Sequence, residues 1–404
     1  MTATDPVAVV GAGPAGLTAA LALRALDIPT VVYEAEPADR VRSGSRALFV
    51  HGESLALLDR LRPGLRREFA ERGLVWTRQQ TFYRCRQVHS RTYPPGPPDR
   101  PPPFVSLRQT ETERLLLAAC HDVGVRFEWD TRIGGVDVGT TGVVLSTVDG
   151  RDLPAGHVVA ADGARSRLRA ALGIGSPGHR SDSYHVVVDV EEDPADPRPP
   201  ARVFHYEHPG LGGRNVLVVP FASGFQVDLQ CRATDADDEF ATLDAVRRWL
   251  PRVVPAAYAE RIRWASKYHF THRVADTFTD PRRRVLLVGE AAHLFPPFGA
   301  RGMNSGIADA DSAATAIAVA RLATSGARAR AAVDEFAERR RAAALANSAA
   351  AAAALAHMRP RGRVRVAARR VSGLLAPWVP SLGAWLDRAP YGPGRAVAPA
   401  TGRY

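Results

Sequence analysis

A glycine-rich turn near the start of the chain has residue types and spacing suited to binding phosphate. The segment Gly11-Ala12-Gly13-Pro14-Ala15-Gly16 directly follows the apolar run 7–10, and a helical pattern begins at Leu17. Gly11 permits a tight turn, Gly13 lets the backbone approach a pyrophosphate, and Gly16 lets the helix pack closely on a sheet. The free N–H groups at the start of that helix would then bind the phosphates.

An acidic residue completes this pattern. A second apolar run, 30–33, ends at Glu34, about twenty residues after the glycines, where a carboxylate can hold a ribose diol. Strand, glycine turn, helix, strand and acid in this order predict dinucleotide binding. The pattern alone does not distinguish FAD from a nicotinamide cofactor.

Two later segments carry further candidate residues. The first is Ala160-Ala161-Asp162-Gly163-Ala164-Arg165-Ser166, which continues an apolar strand starting at His157. In the second, the apolar run 285–288 leads into Gly289-Glu290-Ala291-Ala292-His293 and then Pro296-Pro297-Phe298-Gly299-Ala300-Arg301-Gly302-Met303-Asn304. With these three ordered motifs, residues 7 to about 357 resemble the FAD-dependent aromatic hydroxylases, the group A flavoprotein monooxygenases of the para-hydroxybenzoate hydroxylase type.

The resemblance implies FAD as the cofactor and assigns roles to particular residues. Asp162 and Gly163 match a motif associated with both FAD and NADPH, and Glu290 stands where an acid holds the ribityl chain. The loop after the double proline would present backbone N–H groups to the flavin pyrimidine ring, and Arg301 would bring positive charge to reduced flavin. Further cofactor contacts are expected at Arg46, Gln109, Pro297, Gly299, Gly302, Met303 and Asn304.

One position departs from the family pattern. The family normally has aspartate where this chain has Glu290. Glutamate keeps two acceptor oxygens and adds one methylene, so a ribityl hydroxyl can still be held after a small shift. We interpret the change as a tolerated substitution; the alternative is displaced FAD with altered chemistry.

These motifs require two kinds of sheet to position them. We predict an α/β (α+β) fold, in which a Rossmann-like FAD-binding domain with a parallel sheet comprises residues 1–80, 105–175 and 281–357. Partial alternation over 184–190, 202–206, 215–220, 225–230 and 267–273 predicts a second, mostly antiparallel substrate domain from residues 81–104 and 176–280. Residues 358–404 are expected to form a C-terminal helical cap packed on the FAD-binding domain. We expect a hairpin turn at Ala222-Ser223-Gly224, because glycine there can take a positive φ, and an exposed connector in the proline-rich stretch 94–103.

The resemblance also implies a reaction. NADPH or NADH would reduce FAD, O₂ would add at flavin C4a, and the distal oxygen of the C4a-hydroperoxide would pass to an aromatic or other electron-rich small molecule. The cofactor carries the hard step, so neither a metal nor a protein nucleophile is required. A general base for a phenol is not identified by the sequence, because His51, His205, His269 and Tyr206 are candidates by location alone.

Three other functions compete with this prediction. A flavin-dependent halogenase is disfavoured because its Trp-x-Trp-x-Ile-Pro signature and active-site lysine have no counterpart. A non-redox cyclase that uses FAD as a structural element stays open, since Glu290 departs from the family pattern. A non-catalytic FAD-binding protein is the third alternative.

The amino-acid composition indicates which kinds of binding partner and which cellular location to expect. The net charge is +11, but nearly all the cations are arginines spread among acids, and Lys267 is the only lysine. This distribution disfavours a nucleic-acid surface. Cys85, Cys120 and Cys231 have no paired spacing, so we expect a cytoplasmic protein without disulfides or metal. No signal peptide or membrane insertion is expected, and the protein is predicted to be a monomer or homodimer that acts on a small molecule.

Overall fold

The computed structural model describes residues 6–40, 48–94, 102–360 and 362–392. Their strands are β1 (Val7–Val10), β2 (Thr30–Tyr33), β3 (Phe49–His51), β4 (Arg78–Tyr83), β5 (Arg86–Thr92), β6 (Phe104–Ser106), β7 (Arg126–Glu128), β8 (Ile133–Val138), β9 (Val143–Thr147), β10 (Asp152–Ala155), β11 (Val158–Ala160), β12 (Gly178–Glu191), β13 (Ala201–His208), β14 (Arg214–Phe221), β15 (Gly224–Gln230), β16 (Ile262–Val274), β17 (Val285–Leu287) and β18 (His293–Leu294). The α-helices are α1 (Pro14–Arg24), α2 (Gly52–Leu61), α3 (Leu65–Arg72), α4 (Gln109–Asp122), α5 (Arg167–Ala171), α6 (Asp237–Phe240), α7 (Leu243–Trp249), α8 (Arg301–Leu322), α9 (Gly326–Met358), α10 (Arg363–Leu375) and α11 (Pro380–Arg388).

A five-stranded parallel sheet forms the first layer, in the order β17-β11-β1-β2-β7. The central strands β1 and β11 and the strand β17 are short and wholly apolar, with α1 packed between the strands and α8, whereas the edge strand β7 is charged and partly exposed. From β1 the chain adds β2 and β7 on one side, and it later returns to add β11 and β17 on the other side of β1. Ligands bind at such a reversal, outside the carboxyl ends of the strands. The predicted Rossmann-like sheet is therefore confirmed.

The second layer is an eight-stranded sheet in the order β18-β16-β12-β15-β14-β13-β4-β5. All its pairs are antiparallel except β13 with β4, which confirms the predicted, mostly antiparallel sheet. Alternate residues of its central strands face opposite sides. Val186, Val188, Val227 and Leu229 pack with Trp249 in an apolar core on one side. The other side faces the parallel sheet and carries a more polar set of residues.

The hairpin between β14 and β15 corrects a detail of the sequence analysis. The turn was expected to need glycine at position 224 for a positive φ, but the positive φ, 67°, belongs to Ser223. Gly224 is required for a different reason: a Cβ there would lie 2.3 Å from the carbonyl oxygen of Val190 on β12. Close backbone approach in the sheet, rather than turn geometry, excludes a side chain at this position.

The C-terminal helices pack only partly as expected. The helical tail itself is confirmed, and its last turn, 389–391, packs on α9 of the predicted FAD-binding domain, but α11 lies mainly against β4 and β5 of the large sheet. Asp387 of α11 accepts hydrogen bonds from Gln79 Nε2 and Thr81 Oγ1, both at 2.7 Å, and the Tyr206 hydroxyl donates to Leu386 O at 2.7 Å. The polar partners of α11 therefore lie on the large sheet, which fixes its position.

No helix among the described residues is both long enough and apolar enough to span a membrane. The proline-rich connector expected at 94–103 falls mostly on residues 95–101, outside the described ranges.

Candidate functional site

A cavity of about 830 Å³ lies between the two sheets and brings together most of the predicted cofactor residues. Those that line it are Gly11, Gly13, Pro14, Ala15, Glu34, Gln109, Asp162, Gly163, Glu290, Pro297, Gly299, Gly302 and Met303. Gly16, Arg301 and Asn304 are described but do not line it, and Arg46 lies outside the described residues.

The nucleotide end of this cavity is built where β1 and β11 diverge. Gly11 has a φ of 101°, and a Cβ there would lie 2.5 Å from the carbonyl oxygen of Ala161, so only glycine fits. Gly13 then caps α1 without a side chain, which leaves the N–H groups of the first turn directed at the cavity. At Gly16 a Cβ would lie 1.9 Å from Gly11 O, which shows how closely the helix approaches the turn.

Glu34 lies beside this helix N-terminus. Its Oε2 accepts a hydrogen bond from the Ala12 N–H at 2.7 Å, and its Oε1 accepts one from the Glu36 N–H at 3.1 Å. The carboxylate is thus buried and held at the carboxyl end of β2, next to the glycine turn. This placement suits an acceptor for a ribose diol at the end of a pyrophosphate site.

The Asp162–Gly163 turn follows β11 and lies beside Gly11, on the side of β1 away from Glu34. Asp162 Oδ2 accepts a hydrogen bond from the Leu168 N–H at 3.1 Å, whereas Oδ1 is buried and has no hydrogen-bond partner among the described residues. A buried carboxylate oxygen without a donor is costly, and a bound ligand with hydroxyl or N–H groups would satisfy it. The residues therefore fit a polar cofactor in this part of the cavity.

A buried charge network positions the Gly289–Glu290 turn. Asp309 of α8 accepts hydrogen bonds from the Gly289 N–H at 3.1 Å, from His293 Nε2 at 2.6 Å and from Arg340 Nε at 2.6 Å. Burial alone would raise the pKa of the Asp309 carboxyl, but His293 and Arg340 hold it below its ordinary value. The Asp309 carboxylate thus holds the Gly289–Glu290 turn from its buried side, while Glu290 is exposed on the cavity side.

The loop after the double proline leads into a second helix N-terminus. Gly299 and Ala300 both have positive φ, 76° and 52°, and α8 begins at Arg301. A Cβ built on Gly302 would meet no atom within 4 Å, so this glycine leaves open space at the start of the helix. Two helix N-termini, those of α1 and α8, thus open into one cavity and favour a ligand with negative or electron-rich groups.

Three predicted residues make protein contacts instead of lining the cavity. Arg301 donates to Asn347 Oδ1 at 2.9 Å and to Tyr391 O at 3.2 Å, and burial lowers its pKa. Asn304 accepts from the His51 N–H and the Ser54 hydroxyl and donates to Phe49 O and Ala300 O. Asn304 therefore joins α8 to β3 and α2, which makes it a positioning residue for the loop. Gly16 serves helix packing, as described above.

The far end of the cavity is lined by the large sheet and the C-terminal segment. Its aromatic residues are Phe204, Tyr268, Phe270, Phe298 and Tyr391, and its polar residues include His185, Arg202, Asn215, Asp228 and Gln230. An aromatic pocket with a few convergent polar groups is typical of small-molecule sites.

A histidine–aspartate pair in this pocket was missed by the sequence analysis. His185 Nδ1 lies 2.6 Å from Asp228 Oδ1, on adjacent strands β12 and β15. A signal was present in the alternation of 225–230, where Gln226, Asp228 and Gln230 share one face of an otherwise apolar strand.

The four base candidates named from sequence are placed elsewhere or are already bonded. His269 lines the cavity, but its Nδ1 lies 3.0 Å from Ser181 O. His205 stacks on Phe82 and Tyr206 donates to Leu386 O, and neither lines the cavity. His51 also lies outside the lining.

Comparisons with known proteins agree with this architecture. The family model described as FAD binding domain matches residues 4–351. The chain is 27% identical to the dialkyldecalin synthase of Streptomyces rugosporus, over 76% of this chain and 64% of that protein. It is 28% identical to the rifampicin monooxygenase of Rhodococcus hoagii, over 75% of this chain and 62% of that protein. The chain thus spans less than two thirds of the length of these relatives.

A solved structure shows the same fold over the whole chain. The crystal structure of the p-nitrophenol 4-monooxygenase of Pseudomonas putida DLL-E4 superposes with a TM-score of 0.76 at 22% identity, covering 98% of this chain and 100% of that one. The family match, the two-sheet fold and the assembled motifs lead to one conclusion. The chain belongs to the FAD-binding-domain family that includes the FAD-dependent aromatic hydroxylases.

Proposed function

We propose that the protein is a flavin-dependent monooxygenase that inserts one oxygen atom of O₂ into an aromatic or other electron-rich small molecule, with NADPH or NADH as reductant. The observation that carries the proposal is that one cavity contains both the nucleotide-binding turns and an aromatic pocket. A reaction between a bound cofactor and a small molecule requires this continuity. The names of relatives, among them a rifampicin monooxygenase, support the reaction type.

Each wall of the cavity has a role in holding FAD. The α1 N-terminus would bind the pyrophosphate and Glu34 the ribose, while Asp162 and Glu290 would accept hydrogen bonds from cofactor hydroxyl or N–H groups. The 297–303 loop would lie along the flavin ring. When bound and reduced, FAD supplies oxygen activation at its C4a carbon.

The protein itself would place the substrate next to the flavin and exclude water from the site. Phe298 of the 297–303 loop and Phe270 of β16, with ring centroids 5.1 Å apart, form an apolar wall. Pro390 and Tyr391 contribute to the lining from the C-terminal segment. Such a wall would keep a substrate ring close to the flavin and would limit the access of water to the activated oxygen.

We propose a discontinuous FAD-binding domain of residues 1–80, 105–175 and 281–357, which contains the parallel sheet, and a substrate domain of residues 81–104 and 176–280. The large sheet crosses this division, since β4 begins at Arg78 and β18 is His293–Leu294. The described part of 358–404, up to residue 392, would form a helical cap. We further propose that the protein is cytoplasmic, that it is a monomer or homodimer, and that it does not bind nucleic acid.

A second candidate is a cyclase that binds FAD without redox turnover. The similarity to a dialkyldecalin synthase favours it, and so does the replacement of the usual aspartate by Glu290. Both candidates need FAD, so cofactor binding alone does not separate them.

Steady-state turnover distinguishes the two functions. Purified FAD-loaded protein is supplied with NADPH or NADH, O₂ and a panel of phenols and polycyclic aromatics, and nucleotide oxidation, O₂ uptake and product mass are followed. The monooxygenase proposal predicts substrate-dependent consumption of nucleotide and O₂ in equal amounts and a product that carries one atom of ¹⁸O from ¹⁸O₂. Formation of a cyclised isomer of unchanged mass, without O₂ or nucleotide consumption, would support the cyclase instead.

A further inference from the structure

We infer that His185, held by Asp228, is the base that deprotonates a phenolic hydroxyl of the substrate, and that Gln230 donates a hydrogen bond to the resulting phenolate oxygen. This inference rests on the proposed function and specifies its substrate class as a hydroxylated aromatic ring. It depends on the hydrogen bonds of three side chains that share one face of the large sheet.

The protonation of the histidine ring follows from its partner. Asp228 Oδ1 lies 2.6 Å from His185 Nδ1, and an ionised carboxylate can only accept, so Nδ1 carries the proton. In the neutral imidazole, Nε2 is then an acceptor with a free lone pair. The His185 side chain is 3% exposed, and Nε2 is buried without a hydrogen-bond partner among the described residues.

The orientation of the Gln230 amide is fixed by a second chain of hydrogen bonds. The Glu207 N–H can only donate, so the Asn215 oxygen that accepts it at 3.1 Å is assigned as Oδ1. Asn215 Nδ2 therefore donates to Gln230 Oε1 at 2.7 Å and to Met358 O at 3.1 Å. This leaves Gln230 Nε2, a donor, buried and without a hydrogen-bond partner among the described residues.

The two unsatisfied atoms belong to neighbouring side chains. His185 and Gln230 are directly opposite each other on β12 and β15, and both line the cavity. Side chains opposite each other in an antiparallel pair have Cβ atoms about 5 Å apart. One acceptor and one donor at this spacing match a single hydroxyl group, which donates through its hydrogen and accepts through its oxygen.

Aromatic rings around the pair place this hydroxyl near the flavin loop. The His185 ring lies 4.0 Å from the Phe270 ring and 6.2 Å from that of Phe298, measured between centroids. Phe298 directly follows Pro297 in the loop proposed to lie along the flavin. A phenol held by His185 and Gln230 would therefore have its ring between these aromatic walls and close to the cofactor.

The proton transfer balances without a further reactant. The O–H bond of the phenol breaks, its proton passes to His185 Nε2, and the imidazolium is stabilised by the Asp228 carboxylate. The phenolate oxygen keeps the electron pair and accepts the Gln230 N–H. The ring becomes more electron-rich and so more reactive toward electrophilic oxygen.

The test uses the oxidised, FAD-loaded protein without nucleotide, so that no turnover occurs. Its probes are 4-nitrophenol, whose ionisation changes its absorbance, and the larger 1-hydroxyanthraquinone, with 4-nitroanisole as the analogue that has no proton to lose. At a pH where free 4-nitrophenol is mostly protonated, binding to the wild-type protein should produce the nitrophenolate band. The 4-nitroanisole spectrum corrects for any change in flavin absorbance.

Variants assign the effect to particular atoms. His185→Gln should abolish the nitrophenolate band and weaken 4-nitrophenol binding about tenfold to a hundredfold, the scale of one lost hydrogen bond to a charged group, without changing 4-nitroanisole binding. Gln230→Leu should weaken binding by a similar factor, and Asp228→Asn should reduce the band because the imidazolium loses its counter-charge. His179→Gln, an exposed histidine on the same strand, is the matched control and should behave as wild type.

Each contrary result has a definite meaning. The inference is overturned if neither phenol binds the wild-type protein, if bound 4-nitrophenol stays protonated, or if His185→Gln leaves the band unchanged. Because the wild-type spectrum already tests ionisation, a variant that fails to fold does not prevent a decision. A protein that ionises 4-nitrophenol but whose flavin NADPH and NADH never reduce would keep this inference and lose the proposed monooxygenase function.

Discussion

A substitution at Gly302, in the first turn of α8, should weaken FAD binding without destabilising the fold. A Cβ there meets no protein atom within 4 Å, and the residue lines the cavity. We therefore expect Gly302→Ala to leave the free energy of unfolding unchanged or raise it by up to about 1 kcal/mol, because alanine favours helix. The methyl group would occupy space at the helix N-terminus and weaken FAD binding.

The measurement is a titration of apoprotein with FAD, followed by the quenching of flavin fluorescence. We predict a rise in Kd of roughly tenfold, the scale of one lost hydrogen bond or close contact. Gly326→Ala is the matched control, since Gly326 begins α9 and is exposed away from the cavity. Equal FAD affinity of Gly302→Ala and wild type would exclude the α8 N-terminus from the cofactor site.

A substitution at Glu34 tests the nucleotide end of the cavity in the same FAD titration. Replacing Glu34 by Gln removes the negative charge and one of the two acceptor oxygens that the Ala12 and Glu36 N–H groups now occupy. FAD affinity should fall by about tenfold to a hundredfold, in line with charged hydrogen bonds worth about 1.5–3 kcal/mol. Glu71→Gln, at an exposed position on α3, should bind FAD like wild type. An unchanged Kd for Glu34→Gln would contradict the ribose assignment.

The buried carboxyl group of Asp189 should make the free energy of unfolding depend on pH. Burial raises its pKa to about 6, although Gln226 donates a hydrogen bond to its Oδ1 at 2.8 Å. The folded state therefore binds this proton more tightly than the unfolded state. The resulting stabilisation is present below about pH 4 and is lost as the pH rises through about 6.

Comparison with Asp189→Asn isolates this contribution, because all other groups titrate in both proteins. Relative to wild type, the variant should gain up to about 3 kcal/mol between acid and neutral pH, from a pKa difference of about two units. Urea unfolding of both proteins at pH 4.5 and pH 7.5 should show about 2 kcal/mol of this gain, since the rest lies below pH 4.5. A difference between the proteins that does not change with pH would show that Asp189 is not protonated preferentially in the folded state.

Sequence was informative about residues whose roles are local. The turn around Gly11 and the acid at Glu34 belong to one short β-α-β unit, so their spacing along the chain predicts their proximity. His185 and Asp228 are 43 residues apart and meet only through the register of β12 with β15. Alternation shows which residues share a face, but the register that brings two faces together depends on the whole sheet.

At the scale of elements, Asp387 holds the C-terminal helix α11 on the large sheet. Its carboxylate is buried and accepts from Gln79 Nε2 and Thr81 Oγ1 on β4. Asp387→Ala would leave two buried donors unsatisfied, so we expect a loss of about 2–4 kcal/mol in the free energy of unfolding. Chemical denaturation provides the measurement.

Asp244→Ala is the control for this change, because its side chain is 80% exposed near the start of α7. It should alter stability by no more than about 0.5 kcal/mol. Similar values for the two variants would mean that α11 is held on the sheet by its apolar contacts and that the Asp387 hydrogen bonds contribute little.

The strands of the large sheet were predictable from the sequence, but the elements against which each one packs were less so. Five strands of the large sheet were expected from alternation, and the structure has β12 to β16 at those places with longer bounds. The hairpin at 222–224 was also expected, but the need for Gly224 comes from Val190 on another strand. Packing of α11 on β4 depends on Asp387 meeting residues about 300 positions earlier, a pairing that local patterns do not encode.

At the scale of the whole molecule, the two sheets enclose one cavity, which we propose is a site of redox chemistry rather than of cofactor storage. The cavity joins the nucleotide turns of the parallel sheet to the aromatic face of the antiparallel sheet. Ligand sites are common at such junctions, and reactions between cofactor and substrate require them. The same shape would also suit a cyclase, so rapid-reaction kinetics must decide between the two functions.

The most direct measurement is stopped-flow absorbance of the FAD-loaded protein, first mixed anaerobically with NADPH or NADH and then with O₂. We predict that the nucleotide bleaches the oxidised flavin band, faster when an aromatic substrate is present. We also predict that O₂ restores the band through a transient absorbance that a phenolic substrate shortens. Bound FAD that neither nucleotide reduces, with every phenol tested, would contradict the monooxygenase account and leave FAD with a structural role.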